Sequence, residues 1–205
     1  MKNCLTFYAA ICMSACVLAA QPRAVDVKAF DLGNVRLGMD LEQARSAMAA
    51  HFGVLPSAIA LDYRAEPSPL TGTKLPMRLR YESEGEELSV NLEPRLPIRA
   101  LASRFAVAQV ARRWPEGARS QAQIFEAARA QYGAPSGIVG QRMLWCAKPS
   151  ADPAVLCLQD NPAVLAVSAK GMALFDVSWV DARVEAEMAA KAKKVQESQK
   201  APKPH

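Results

Sequence analysis

The chain has 205 residues, and its 25 Lys and Arg against 20 Asp and Glu leave a formal charge of +5. That balance is too mild and too dispersed for a nucleic-acid footprint, which needs basic residues gathered on one face. Hydrophobic residues reach 51% while aromatics reach only 6%, so any core must be built largely of Leu, Val, Ala and Met.

Lys2 opens a short positive segment, and Cys4 to Ala20 is an apolar run closing on the small residues Ala19 and Ala20. This is the layout of a secretory signal peptide over residues 1–20, and it places the remaining body in the periplasm. Removing it leaves 185 residues and a charge of +4, because Lys2 is the only charged residue lost. A body of that size is one ordinary domain or two small, intimate units. Export also makes nucleic acid an unsuitable partner. Two routes of exit are open. Met13-Ser14-Ala15-Cys16 is similar to the box that precedes an acylated lipoprotein cysteine, and lipid on Cys16 would anchor the protein in the outer membrane. Val17-Leu18-Ala19-Ala20 is apolar where such proteins are usually polar, and plain cleavage after Ala19 or Ala20 explains it better. The run is short for a ~20-residue membrane span.

Along the body, Phe30 to Gly38 alternates apolar residues with two glycines and reads as a short strand or extended entry. Asp40 with Gln43 forms a capping-box pattern, and Leu41, Ala44, Met48 and Phe52 recur at helical spacing before Gly53. This predicts a helix over Leu41 to Phe52. Leu55 to Leu75 reads as a loop with an extended stretch at Ala58 to Tyr63. Met77–Tyr81 and Glu87–Leu92 alternate about an acidic turn, which is a hairpin pattern. Ile98 to Ala111 fits period two and period 3.6 in part, and its place after a hairpin favours a strand. Ser120 and Gln123 repeat the capping box, Ile124, Ala128 and Tyr132 make the stripe, and Gly133 ends a second helix. Ile138–Cys146, Val155–Gln159, Ala163–Ser168 and Met172–Val180 read as strands, the last with Ala173, Phe175, Val177 and Trp179 on one face. Phe175, Val177 and Trp179 are expected in the core. Asp181 to Lys200 is Ala-, Glu- and Lys-rich and predicts a helix, followed by a disordered tail at residues 201–205.

The two helix ends are alike: Ala50-His51-Phe52-Gly53-Val54-Leu55-Pro56-Ser57 parallels Ala130-Gln131-Tyr132-Gly133-Ala134-Pro135-Ser136. Gly38-Met39-Asp40-Leu41-Glu42-Gln43-Ala44, after Val35-Arg36-Leu37, resembles the strand-to-helix entry of small bacterial envelope proteins of the BamE/SmpA type. Gly133-Ala134-Pro135 matches the Gly-x-Pro at the end of their helix, and Gly53 to Pro56 matches it less well. The likeness covers about forty residues and rests on structural caps. The second unit lacks the matching entry, since Gly117 stands three residues before Ser120. The related β-lactamase-inhibitor-like architecture sets two helix-plus-sheet units in tandem. The resemblance therefore implies an exported α+β binding scaffold with units over 21–115 and 116–180 and a C-terminal helix and tail over 181–205. It does not carry over the outer-membrane assembly role.

Few residues suggest chemistry. Cys4, Cys12 and Cys16 lie in the signal segment, leaving Cys146 and Cys157 as a single disulfide pair flanking the tip of a hairpin. Closing that ten-residue loop is worth ~2–3 kcal/mol. The spacing is not that of a redox pair, and two cysteines without nearby histidines do not make a zinc site. His205 is in the tail and His51 on the last turn of the first helix, where a cationic ring suits the dipole. No Gly-x-Ser-x-Gly elbow exists to meet His51, and Ser136 between Pro135 and Gly137 fails that pattern. Thr71-Gly72-Thr73-Lys74 lies in a Pro-rich loop and reads as turn chemistry. Glu82, Glu84, Glu86 and Glu87 lack a calcium-loop framework, and Gly33 with Gly38 lacks the Lys-Ser/Thr of a phosphate loop. No cofactor or metal is expected. Arg95, Arg99, Arg104, Arg112, Arg113 and Arg119 form the densest basic stretch, with Trp114 beside them; Arg112, Arg113 and Trp114 are the candidate interface, since Arg and Trp anchor protein contacts. Against this, their phases along a strand do not coincide. The tail lysines Lys191, Lys193, Lys194, Lys200 and Lys203 are diluted by Glu185, Glu187 and Glu197. The expected function is a non-enzymatic binding or accessory protein of the cell envelope whose partner is another envelope protein. The alternatives are a structural lipoprotein tethered through Cys16, with membrane contact only in that case, or a hydrolase with a carboxylate site.

Overall fold

The computed structural model describes residues 22–97, 104–157 and 161–200. The signal segment, Cys16, Arg99 and the 201–205 tail lie outside them. The architecture is α+β. A 3-10 turn at Val27–Ala29 precedes a small hairpin, β1 (Asp31–Leu32) and β2 (Val35–Arg36). Helix α1 (Leu41–Phe52) follows, then β3 (Ala60–Tyr63), β4 (Pro76–Ser83), β5 (Glu86–Pro94) and β6 (Phe105–Arg113). Helix α2 (Gln121–Tyr132) leads into β7 (Gly137–Val139), β8 (Arg142–Cys146), β9 (Ala163–Ser168) and β10 (Gly171–Asp176), and α3 (Ser178–Lys200) closes the described chain. Strands β3 to β10 form one antiparallel sheet in the order β3-β4-β5-β6-β10-β9-β8-β7. Each helix thus introduces a four-strand meander, and the last strands of the two meanders pair at the centre.

Local chemistry sets the helix ends. Asp40 accepts from the Gln43 amide at 2.8 Å, while Gln43 accepts from the Asp40 amide at 3.0 Å. Ser120 and Gln123 repeat this at 3.3 and 2.9 Å, so both predicted capping boxes form. Gly53 takes the left-handed conformation (φ 66°) that ends α1. Between β4 and β5, Glu84 (φ 52°) and Gly85 (φ 77°) make a tight turn with both central residues left-handed, which matches strand twist.

Helices α1 and α2 cover one face of the sheet. Ala44, Met48 and Ala49 from α1, and Ile124, Ala128 and Tyr132 from α2, meet a sheet face of Leu79, Leu88, Val90, Val110, Leu174, Leu165 and Trp145, all buried. The N-terminal segment ties both meanders, and on the first the Gly38 amide donates to the Val107 carbonyl of β6 at 2.9 Å. Ser136 donates to the Arg23 carbonyl at 2.6 Å, the Val25 amide donates to the Cys146 carbonyl at 2.9 Å, and Tyr132 donates to the Asp31 carbonyl at 2.8 Å. Burial and the Asp31 charge, opposed by Arg112, raise the Tyr132 phenol to about 12.

Several expectations need correction. The strand after Gly171 ends at Asp176 rather than Val180. The buried Asp176 carboxylate pairs with Lys28 (3.1 Å) and accepts from the Ser178 amide (3.0 Å), starting α3 three residues before the expected Asp181. Met172 and Leu174 face the main core, so Ala173 and Phe175 lie on the opposite sheet face. Val177 is exposed and Trp179 sits in the first turn of α3, beneath Arg95 at 5.7 Å. Val155–Gln159 is not a strand over its described part: Asp152 caps a 3-10 turn at Pro153–Val155, and Pro at its start fixes the required φ. The Cys146–Cys157 loop is therefore a capped excursion between β8 and β9. Its sulfurs are 2.05 Å apart with Cα atoms at 5.8 Å, and Leu156, Val164 and Phe175 pack around them. Ile138–Cys146 is divided into β7 and β8 by a turn at Gly140. The strand expected over Ile98–Ala111 runs from Phe105 to Arg113, and residues 98–103 lie outside the described chain.

Two stability measurements check this fold. A Cβ at Gly171 (φ 148°) would lie 2.2 Å from the Arg112 carbonyl oxygen, so Gly171→Ala lowers unfolding free energy by about 3 kcal/mol in urea titration. Reducing Cys146–Cys157 costs ~2–3 kcal/mol by loop closure, read as a fall in the urea midpoint.

Candidate functional site

Of the basic residues singled out from sequence, Arg112, Arg113 and Arg119 gather at one end of the sheet, but on two faces, while Arg95 and Arg104 pair at the opposite end of β5 and β6. Strand alternation sends Arg112 to the helix side, opposite Leu88 and Met172, and Arg113 to the other side, opposite Glu87. On the helix side Glu86 holds Arg112 (2.8 Å) and His51 (3.0 Å). Arg112 and Arg119 both stack on the Trp114 ring, at 5.2 and 5.1 Å. Burial pushes the Glu86 carboxyl up, but the hydrogen bonds and charges of Arg112 and His51 outweigh it and hold it below its ordinary value of 4.5. This cluster clamps the end of α1 to β5 and β6 beside a cavity of about 500 Å³. The acidic turn is thus only partly solvated: Glu82 and Glu84 are exposed, while Glu86 is bound and Glu87 lies 3.6 Å from Arg113.

Opposite the helices lies a second surface, built from the outward residues of the central strands. Pairing register places Ser89, Ala111, Ala173, Ala166 and Leu144 in one row across β5, β6, β10, β9 and β8. All are partly exposed. One row toward α3, Arg78 donates to Asn91 (3.0 Å) and Asn91 to Gln109 (2.9 Å), with Phe175 next in line. One row toward the other end stand Glu87, Arg113, Gly171 and Ser168. Arg113, Arg142 and Lys170 rim a depression of about 220 Å³ floored by Ala111, Ala166 and Ala173, with no carboxylate among its described lining residues.

Helix α3 walls this surface along the side away from the basic rim. The nearly buried Glu93 receives Arg183 at 2.6 Å and Arg64 at 3.1 Å, and Arg183 also reaches Glu187 at 3.0 Å. With Arg183 anchored, Val180, Val184 and Met188 remain exposed, and Val180 meets Phe175 and Gln109 at a cavity of about 300 Å³.

The other sequence candidates take structural places. Ser136 is buried and bonds the Arg23 and Cys146 backbone. Thr71 to Lys74 is a turn in which Thr71 and Thr73 hydroxyls meet at 3.1 Å. Arg95 donates to backbone carbonyls of Gly38 and Phe105. Lys193 reaches Glu197 at 3.9 Å, both well exposed. The open sheet row was missed in sequence. Its signal is the Ala and Ser alternating with larger apolar residues in Ala163–Ser168 and Gly171–Asp176, residues that are small where a strand favours bulk. Among the described residues no group of His, Cys, Asp and Glu could hold a metal, and no helix is long and apolar enough to cross a membrane. Comparison with protein-family models, curated proteins and solved structures gives no match.

The clamp has a pH signature. Because the folded Glu86 carboxyl is held below its ordinary 4.5, its contribution is present above that value and disappears as pH falls through the folded pKa. Glu86→Gln lowers stability by ~1–2 kcal/mol at pH 7. Its deficit against wild type shrinks below pH 4.5 when urea unfolding is followed across pH.

Proposed function

We propose that this is a non-enzymatic binding or accessory protein of the bacterial envelope, exported to the periplasm, whose open sheet face receives another envelope protein. The observation that carries this reading is the row Ser89-Ala111-Ala173-Ala166-Leu144 across five hydrogen-bonded strands. Four of these side chains are small and leave a smooth, rigid floor that Leu144 bounds at β8, and the ladder beneath it needs no ordering on contact. Such preorganisation lowers the entropic cost of docking. The signal-like first twenty residues support export, and a buried cystine suits an oxidising compartment. Arg113 belongs to the rim of this face. Arg112 and Trp114 act behind it by fixing the end of β6.

A photo-crosslinking residue placed at Ala166 in the full chain, expressed in its native envelope, forms a discrete protein adduct that Ala173→Arg abolishes. The same residue at the exposed Glu126 of α2 forms none. Intact mass of the purified protein begins near Gln21. Absence of an adduct at Ala166, or equal adducts at both positions, refutes the reading; a lipid-bearing mass starting at Cys16 replaces the soluble form with a tethered one.

A further inference from the structure

We propose that the occupant of the open face is an acidic amphipathic helix of a partner protein, an inference that rests on the binding role given above. Three features of the face define that shape and charge.

The first is width. From Phe175, beside the wall, to Gly171 at the rim is four residues along β10, about 13 Å at 3.3 Å per residue. A helix with its side chains is ~10–12 Å across. From β5 to β9 the small residues Ser89, Ala111, Ala173 and Ala166 cross four adjacent strands, about 14 Å at 4.8 Å per step, which matches ~10 helical residues at 1.5 Å each.

The second is precedent within the fold. The same face already carries one helix, α3, laid against β5 and held through Arg183 and Glu93. Val180, Val184 and Met188 follow one another at helical spacing on its exposed side, within about 80° of arc. They form an apolar flank against which a second helix packs at the usual 8–10 Å interaxial distance. Ala111, Ala166 and Ala173 set the floor low enough for that helix to lie flat.

The third is charge. Arg142 and Lys170 make no ion pair among the described residues, and Arg113 meets Glu87 only at 3.6 Å with two thirds of its side chain exposed. These three cations stand along the border opposite α3. A helix seated in the groove with its apolar side on the alanines and on Val180 turns one polar edge toward them, and carboxylates on that edge complete the pairs. The same cations disfavour a basic helix, which gives the face its selectivity.

The test uses the full mature chain and an 18-residue peptide of Ala, Leu and Glu with the glutamates on one helical face, labelled for fluorescence anisotropy. A matched peptide carries Lys in place of Glu. The acidic peptide binds and shifts the Ala111, Ala166 and Ala173 amide resonances. The lysine peptide and the Arg142→Glu/Lys170→Glu protein each weaken binding at least tenfold, with the variant's circular dichroism unchanged. The proposal is overturned if the acidic peptide leaves those resonances in place, or if the charge swaps do not alter its affinity. It is also overturned if the protein sediments as a dimer that Ala173→Glu dissociates, since a second copy then covers the face. Loss of peptide binding with a persistent Ala166 adduct in the envelope removes only the helical, acidic character of the partner. Loss of both removes the binding role itself.

Discussion

The pairing of β6 with β10 is the constraint on which the rest of this structure depends. Without it there are two four-strand meanders, each with one helix and too little surface to bury. With it the sheet is continuous, and Val110 and Leu174 stand as opposed neighbours beneath both helices. The approach is close enough that Gly171 leaves no room for a β-carbon beside the Arg112 carbonyl. The same junction aligns Ala111 with Ala173 on the far face, so the floor of the proposed site exists only because the halves are joined in this register.

Around that centre, charge holds the ends in place. Glu86 fixes α1 to the sheet through His51 and Arg112, and Glu93 fixes α3 through Arg183. Both carboxylates are mostly screened from water, and each has two basic partners. Removing either carboxylate strands a partly buried arginine, which makes these contacts matter more than exposed pairs such as Lys193 with Glu197.

The helices were legible because their end signals are local. Asp40 with Gln43, Ser120 with Gln123, Gly53 and Gly133 act within one turn of themselves. Strand identity was legible wherever one parity is plainly polar, as in Glu86–Pro94. In Gly171–Asp176 the strand was legible but its inward face was not, because Met172 and Leu174 compete with Ala173 and Phe175 and both sets are apolar. Only the neighbours chosen by the sheet order decide which set goes inward. Asp176 was equally opaque, since its ion partner Lys28 lies far away in sequence. The candidate face was hidden for the same reason: Ser89, Ala111, Ala173, Ala166 and Leu144 become one row only when five strands are aligned.

The bonds of the N-terminal segment also bear on how the chain reaches this state. Tyr132 meets Asp31 across 101 residues, Ser136 meets Arg23 across 113, and β6 must wait for β10 beyond another helix and three strands. Contacts of such long separation place the chain among slow-folding topologies. Until β10 arrives, the edge of β6 is an unpaired template with Phe105, Val107 and Val110 beside it, and such edges recruit other chains. A nascent molecule therefore passes through a sticky interval, and a holding chaperone that shields that edge would raise its yield more than any further stabilisation of the finished sheet.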